Sequence, residues 1–64
     1  MAPHQERVAT EKRELDEKLA KLNAFFITET FLALDAGEKR RLYIQCHVME
    51  QYSAVLADRI AHFK

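Results

Sequence analysis

Two long stretches of the chain repeat apolar residues at helical spacing, and a short stretch between them does not. In the first, Val8, Leu15, Leu19, Leu22 and Phe26 recur on one helical face, with no Gly or Pro between them and good helix formers in the gaps. Pro3 suits the opening turn, where its missing N–H would have no partner. The spacing predicts a helix over about residues 4–26. Glu14–Lys18 and Glu17–Lys21 are i,i+4 pairs in the favoured order, each worth about 0.3 kcal/mol.

Ile27-Thr28-Glu29-Thr30 breaks the pattern with β-branched residues, and Thr28 can cap a short turn carrying Phe31, Leu32 and Leu34. A packed connector over 27–35 follows. Asp35, with Glu38 three residues later, is a capping-box variant that starts a second long helix over about 36–63. There Leu42, Gln45, Met49, Tyr52, Leu56, Arg59 and Phe63 advance in steps of three and four, the mark of a packing seam.

Folding the connector so that the seams face sets Leu15 opposite Tyr52, Leu19 opposite Met49, Leu22 near Gln45, Phe26 near Leu42 and Val8 near Ile60. The expectation is all-α: an antiparallel two-helix hairpin with a short helical connector, one domain over 1–64, assembling into an oligomeric helical bundle. Assembly is expected because Ile44, Val48 and Val55 form a second apolar row beside the seam. The apolar arc then spans roughly 160°, more than one partner helix covers. Phe31, Leu32 and Leu34 could fold over Ile44 but hardly over Val55, so this row is the expected oligomer interface.

Size points the same way. Sixty-four residues build a core of little net stability without a disulfide, a metal or a partner chain. Cys46 stands alone, and His4, His47 and His62 are too scattered to join it in a zinc set, so no metal or cofactor is expected. Ten basic and ten acidic residues cancel, which excludes a chain-wide pull on nucleic acid or anionic membrane and leaves any anion site local. Met1 to Gln5 lack a signal-peptide pattern and no stretch reaches transmembrane length, so a cytoplasmic protein is expected.

No catalytic motif is present. Cys46 and His47 diverge on a helix, and neither His-x-x-x-His nor Glu-x-x-His occurs. Gln45 and Arg59 interrupt the seam where hydrophobes belong. Arg59 either pairs with Glu11 about a turn away or, with His4 and Arg7, enters a polar pocket between subunits, where a guanidinium suits phosphate. Tyr52 can stack on a base or simply pack. Lys39, Arg40 and Arg41 set three cations at the positive end of the second long helix, a secondary basic site if an anion docks there and otherwise a solvated cluster. DNA binding is not expected from so short a triplet.

Across nearly the whole chain, Pro3-His4-Gln5, Arg7-Val8, Glu11-Lys12, Glu14-Leu15-Asp16, Lys18-Leu19, Lys21-Leu22 and Phe25-Phe26, then Gln45, Met49, Tyr52-Ser53, Val55-Leu56, Arg59-Ile60 and Phe63, resemble a family of small phage and prophage proteins related to a crAss-like phage gene product. Phe26-Ile27 after Phe25 and the apolar Tyr43-Ile44 depart from that pattern, and both enlarge the surface open to a partner. The architecture is also similar to helical-hairpin sponges by which phages sequester nucleotide signals of host immunity such as CBASS and Thoeris. That resemblance implies a non-catalytic homo-oligomer in the host cytoplasm. No sponge residue carries over by motif; from this chain's own register, His4, Arg7, Tyr52 and Arg59 would hold the cyclic-oligonucleotide or ADP-ribose-type ligand between subunits. The alternative is a protein-interaction module that docks Ile44, Val48 and Val55 on a host or phage protein.

Overall fold

A computed structural model describes all 64 residues. α1 spans Pro3–Phe25, α2 Glu29–Leu32 and α3 Ala36–Ala61, and α1 packs antiparallel on α3. At the start of α1, Pro3 opens the first turn and the Ala2 N–H donates to the Gln5 side-chain oxygen at 3.0 Å. Thr28 caps α2, its hydroxyl oxygen accepting from the Phe31 N–H at 3.2 Å. The Asp35 carboxylate caps α3 by accepting from the Glu38 N–H at 2.8 Å. The reciprocal half of the expected box does not form, because the Glu38 carboxylate accepts from Arg41 Nε at 2.9 Å instead. On α1 the ion pair formed is Lys12–Asp16 at 2.7 Å, and not the expected Glu14–Lys18 or Glu17–Lys21.

The closed end of the hairpin is aromatic. Phe31 is almost fully buried, its ring 5.9 Å from Phe25, 5.1 Å from Phe26 and 5.4 Å from Tyr43, all edge-to-face. Such contacts add about 1 kcal/mol each beyond the area they bury. The connector is thus packed, but against Tyr43 and not over the outer row of α3. Leu32 points outward at 65 % exposure, and Ile44, Val48 and Val55 each keep more than half of their surface open.

Along the shaft, Val8, Leu15 and Leu56 are the core, with Met49, Ile60 and Phe63 packed against them. The heights of the two helices match the expected register. Gln5 reaches the Lys64 carbonyl, Lys12 and Asp16 reach Ser53, and the Cys46 thiol approaches Asn23. The rotation of α3 does not match. Its inward face is Leu42, Cys46, Met49, Ser53, Leu56, Ile60 and Phe63, while Gln45, Tyr52 and Arg59 are exposed.

The physical reason is desolvation. Both sets share Leu42, Met49, Leu56 and Phe63, and differ only in which neighbours fill the alternate layers. Turning Cys46, Ser53 and Ile60 inward lets the helices approach closely and leaves no buried charged or polar residue, whereas the other rotation would take Arg59 and Gln45 out of water.

Only five residues are buried, and the molecule measures 47 × 15 × 13 Å. Its accessible surface of 4872 Å² exceeds the roughly 4,200 Å² of a globular monomer of its mass, the excess coming from two helices with no third layer.

Candidate ligand site along one edge of the hairpin

The two edges of the helix pair are chemically unlike. At about 100° per residue, Gln5, Lys12, Asp16 and Asn23 line one side of α1, and every side-chain hydrogen bond between α1 and the C-terminal half of the chain arises there. The Ser53 hydroxyl donates to Asp16 Oδ1 at 2.5 Å and accepts from Lys12 Nζ at 3.1 Å, closing a triad with the 2.7 Å Lys12–Asp16 pair. The Lys12 and Ser53 hydrogen bonds hold the Asp16 carboxyl below its ordinary value. Further along, the Cys46 thiol donates to Glu50 at 3.3 Å. Burial first, and then the Glu50 carboxylate, push that thiol above its ordinary range. This edge is a structural zip.

The opposite edge has no such bonds. Helical spacing puts His4, Glu11 and Lys18 along it on α1, and Gln45, Tyr52 and Arg59 along it on α3, all exposed. In the observed register Arg59 comes level with the stretch between His4 and Glu11. The expected Arg59–Glu11 ion pair does not form: the salt bridges of the chain are Lys12–Asp16, Glu38–Arg41 and Asp58–His62. The guanidinium of Arg59 is left open to solvent on the edge that also carries Tyr52 and His4.

Four expected site residues, Arg7 and the basic triplet Lys39, Arg40 and Arg41, are not part of that grouping. Arg7 sits further round α1, bordering a shallow depression also lined by Pro3, Glu6, Thr10, Glu11 and Glu14, and forms no ion pair with them. The basic triplet lies at the far end of α3, about 27 Å along the helix from Arg59. Its members are not equivalent: Lys39 Nζ stands 5.8 Å over the Phe31 ring, Arg41 pairs with Glu38, and Arg40 is exposed without an ion pair. What sequence reading missed was the Lys12–Asp16–Ser53 triad. The spacing of Lys12 and Asp16 one turn apart facing a small hydroxyl was its only trace.

No group of three His, Cys, Asp or Glu side chains is placed to hold a metal, and no helix is long and apolar enough to cross a membrane. A family model named Sequestin matches residues 2–62, all but the two ends. The chain belongs to the Sequestin family. Sequestin is a non-catalytic sequestering family, so its members act by holding a small signal molecule and not by turning it over. The Sequestin match takes in both long helices and the short helix between them. No curated protein and no solved structure gives a significant match.

Proposed function

We propose that this Sequestin-family chain is a phage or prophage counter-defence sponge. It holds a nucleotide immune signal, of cyclic-oligonucleotide or ADP-ribose type, at the contact between subunits in the host cytoplasm. Membership of a sequestering family carries the reading. Arg59 supports a site on the open edge: a guanidinium with no ion pair in its own chain presents a planar fork of donors that suits phosphate oxygens. Tyr52, 43 % exposed, offers a ring to a base, and His4 a further donor from α1. Arg7 lies among carboxylates and serves as an outer contact. The family relation to crAss-like phage gene products is part of this reading.

Calorimetry and thermal shift against cyclic di- and trinucleotides and ADP-ribose derivatives test it, since a ligand bound only by the folded chain raises apparent stability. Stoichiometric binding without consumption of the ligand is expected. Ligand turnover, or no binding by any member of the panel, overturns the proposal.

A second reading follows from the outer row of α3. Ile44, Val48 and Val55 are each more than half exposed, and an apolar row of this kind docks on other proteins as readily as on itself. It replaces the first if the purified chain binds no nucleotide and captures one host or phage protein through that row.

A further inference from the structure

Tyr52, Gln45 and Arg59 flank the row Ile44, Val48 and Val55 on the open edge of the hairpin, and Arg40 and Asp58 flank it on the other side. Arg41, at the head of the row, lies towards the open edge with Arg59. The row therefore carries a cation pair at its beginning and, one full row later, an acid beside a cation. That charge order is not neutral to direction. Packing two copies in parallel would bring two Lys39-Arg40-Arg41 triplets together, six cations at one level. Packing them antiparallel sets each triplet beside the other copy's Asp58.

We infer that a second copy of this chain packs antiparallel on the outer row of α3, and that Arg41 of one copy and Arg59 of the other then form two equivalent sites for a phosphate-bearing nucleotide. The register follows from seam geometry. With the two-fold axis level with Met49 and Glu50, Ile44 meets the partner's Val55, and Val48 meets the partner's Gln51 and Tyr52, so every aliphatic of the row is covered. The same register brings Arg40 to the partner's Asp58. In the single chain Arg40 has no ion pair and Asp58 has only the exposed His62, at 3.5 Å. On the open edge Arg41 comes beside the partner's Arg59.

Two guanidiniums at one level repel unless an anion joins them, which is the condition for a binding site. Glu38 accepts from Arg41 Nε at 2.9 Å and leaves the two terminal nitrogens of that guanidinium for a ligand. Within one chain the two arginines are about 27 Å apart along α3 and cannot share a ligand. Only the pair of copies completes the site. This deepens the sequestration reading and rests on it for the ligand, while the pairing itself stands on the packing and charge of α3.

Sedimentation equilibrium tests the pairing. The wild-type chain is expected to be dimeric, and Val48→Asp monomeric with its helix content intact, because Val48 is 58 % exposed within the chain. Arg40→Glu and Asp58→Lys singly should each weaken the dimer about tenfold or more by setting like charges together, and the double variant should restore it. A monomeric wild type, or a double variant no tighter than either single, overturns the pairing.

Calorimetry with ADP-ribose and a cyclic dinucleotide tests the site. Arg41→Ala and Arg59→Ala should each abolish binding, while a mixture of the two variants allowed to exchange subunits regains one intact site per heterodimer; random exchange makes half of the dimers heterodimers, so the mixture should read about a quarter of the wild-type stoichiometry. Binding retained by either variant, or no recovery on mixing, overturns the shared site and leaves sequestration standing. A wild-type chain that binds neither probe overturns the shared site for these ligands, failure of the whole panel removes the sequestration reading as well, and the charge swap alone then decides the pairing.

Discussion

Ser53 on α3 donates a 2.5 Å hydrogen bond to Asp16 on α1, and with Lys12 it ties the two helices at mid-shaft. A charge-assisted bond of that length is among the stronger polar links a helix pair can make. Ser53→Ala is expected to lower stability by about 1 kcal/mol, more than an exposed surface change would. Urea unfolding of the two chains under matched conditions measures it.

The same triad sets an acid limit. Asp16 is held below its ordinary value of 3.8 by the Lys12 and Ser53 hydrogen bonds, so the folded state favours the ionised carboxylate more than the unfolded chain does. That contribution is complete above the ordinary value and is lost as pH falls below it towards the depressed folded value. Asp16→Asn should flatten this part of the stability profile between pH 5 and the acid limit. An unchanged slope in denaturant titrations at stepped pH would refute the assignment.

Leu56 is fully buried, at the centre of the small core with Val8 and Leu15. Leu56→Ala should cost about 3 kcal/mol, a large fraction of what a core of this size supplies. Loss of the cooperative thermal transition in circular dichroism is the expected result. Val55→Ala, next along the chain but outward-facing, should leave the intrinsic stability of the hairpin nearly unchanged.

The Cys46 thiol is buried and lies against Glu50, and both effects oppose its ionisation. Its alkylation by iodoacetamide at pH 8 should be slower in the native chain than in the urea-unfolded chain. Glu50→Gln removes the nearby negative charge and is expected to speed the native reaction. Equal rates for native and unfolded chains would show that the thiol is open.

Arg59 separates binding from stability. Since it makes no ion pair in its own hairpin, Arg59→Ala should change the unfolding free energy of the monomeric Val48→Asp background by less than about 0.5 kcal/mol. A larger loss, found by chemical denaturation, would restore a structural role for the guanidinium.

The hairpin, most of its caps and its register were legible because each rests on a local signal: Pro3 at one start, Thr28 in the connector, Asp35 at the other start, and leucines at helical spacing between; the Gln5 cap on the Ala2 N–H was not read. The rotation of α3 was not. Tyr52 weighs more than Ser53 on any hydrophobic pattern, and a seam through Tyr52 is as regular as the seam through Ser53. What decides between them is the cost of burying Arg59 and Gln45 set against the ready satisfaction of a small hydroxyl by Lys12 and Asp16, and that depends on residues far away in the chain. The same long-range choice frees Arg59, so the open edge could be suspected from composition but not assembled.

The aromatic knot of Phe25, Phe26, Phe31 and Tyr43 gathers four rings from one short stretch of chain. Contacts so close in sequence form early and at little loop-closure cost, and helical proteins dominated by them fold in about microseconds to milliseconds. The shaft beyond the knot is held by Val8, Leu15 and Leu56 with Ile60 and Phe63, residues drawn from the two ends of the chain. These contacts close larger loops than the knot does, so the hairpin is expected to zip up from the knot outwards, and the end carrying His4 and Arg59 is the last part to form.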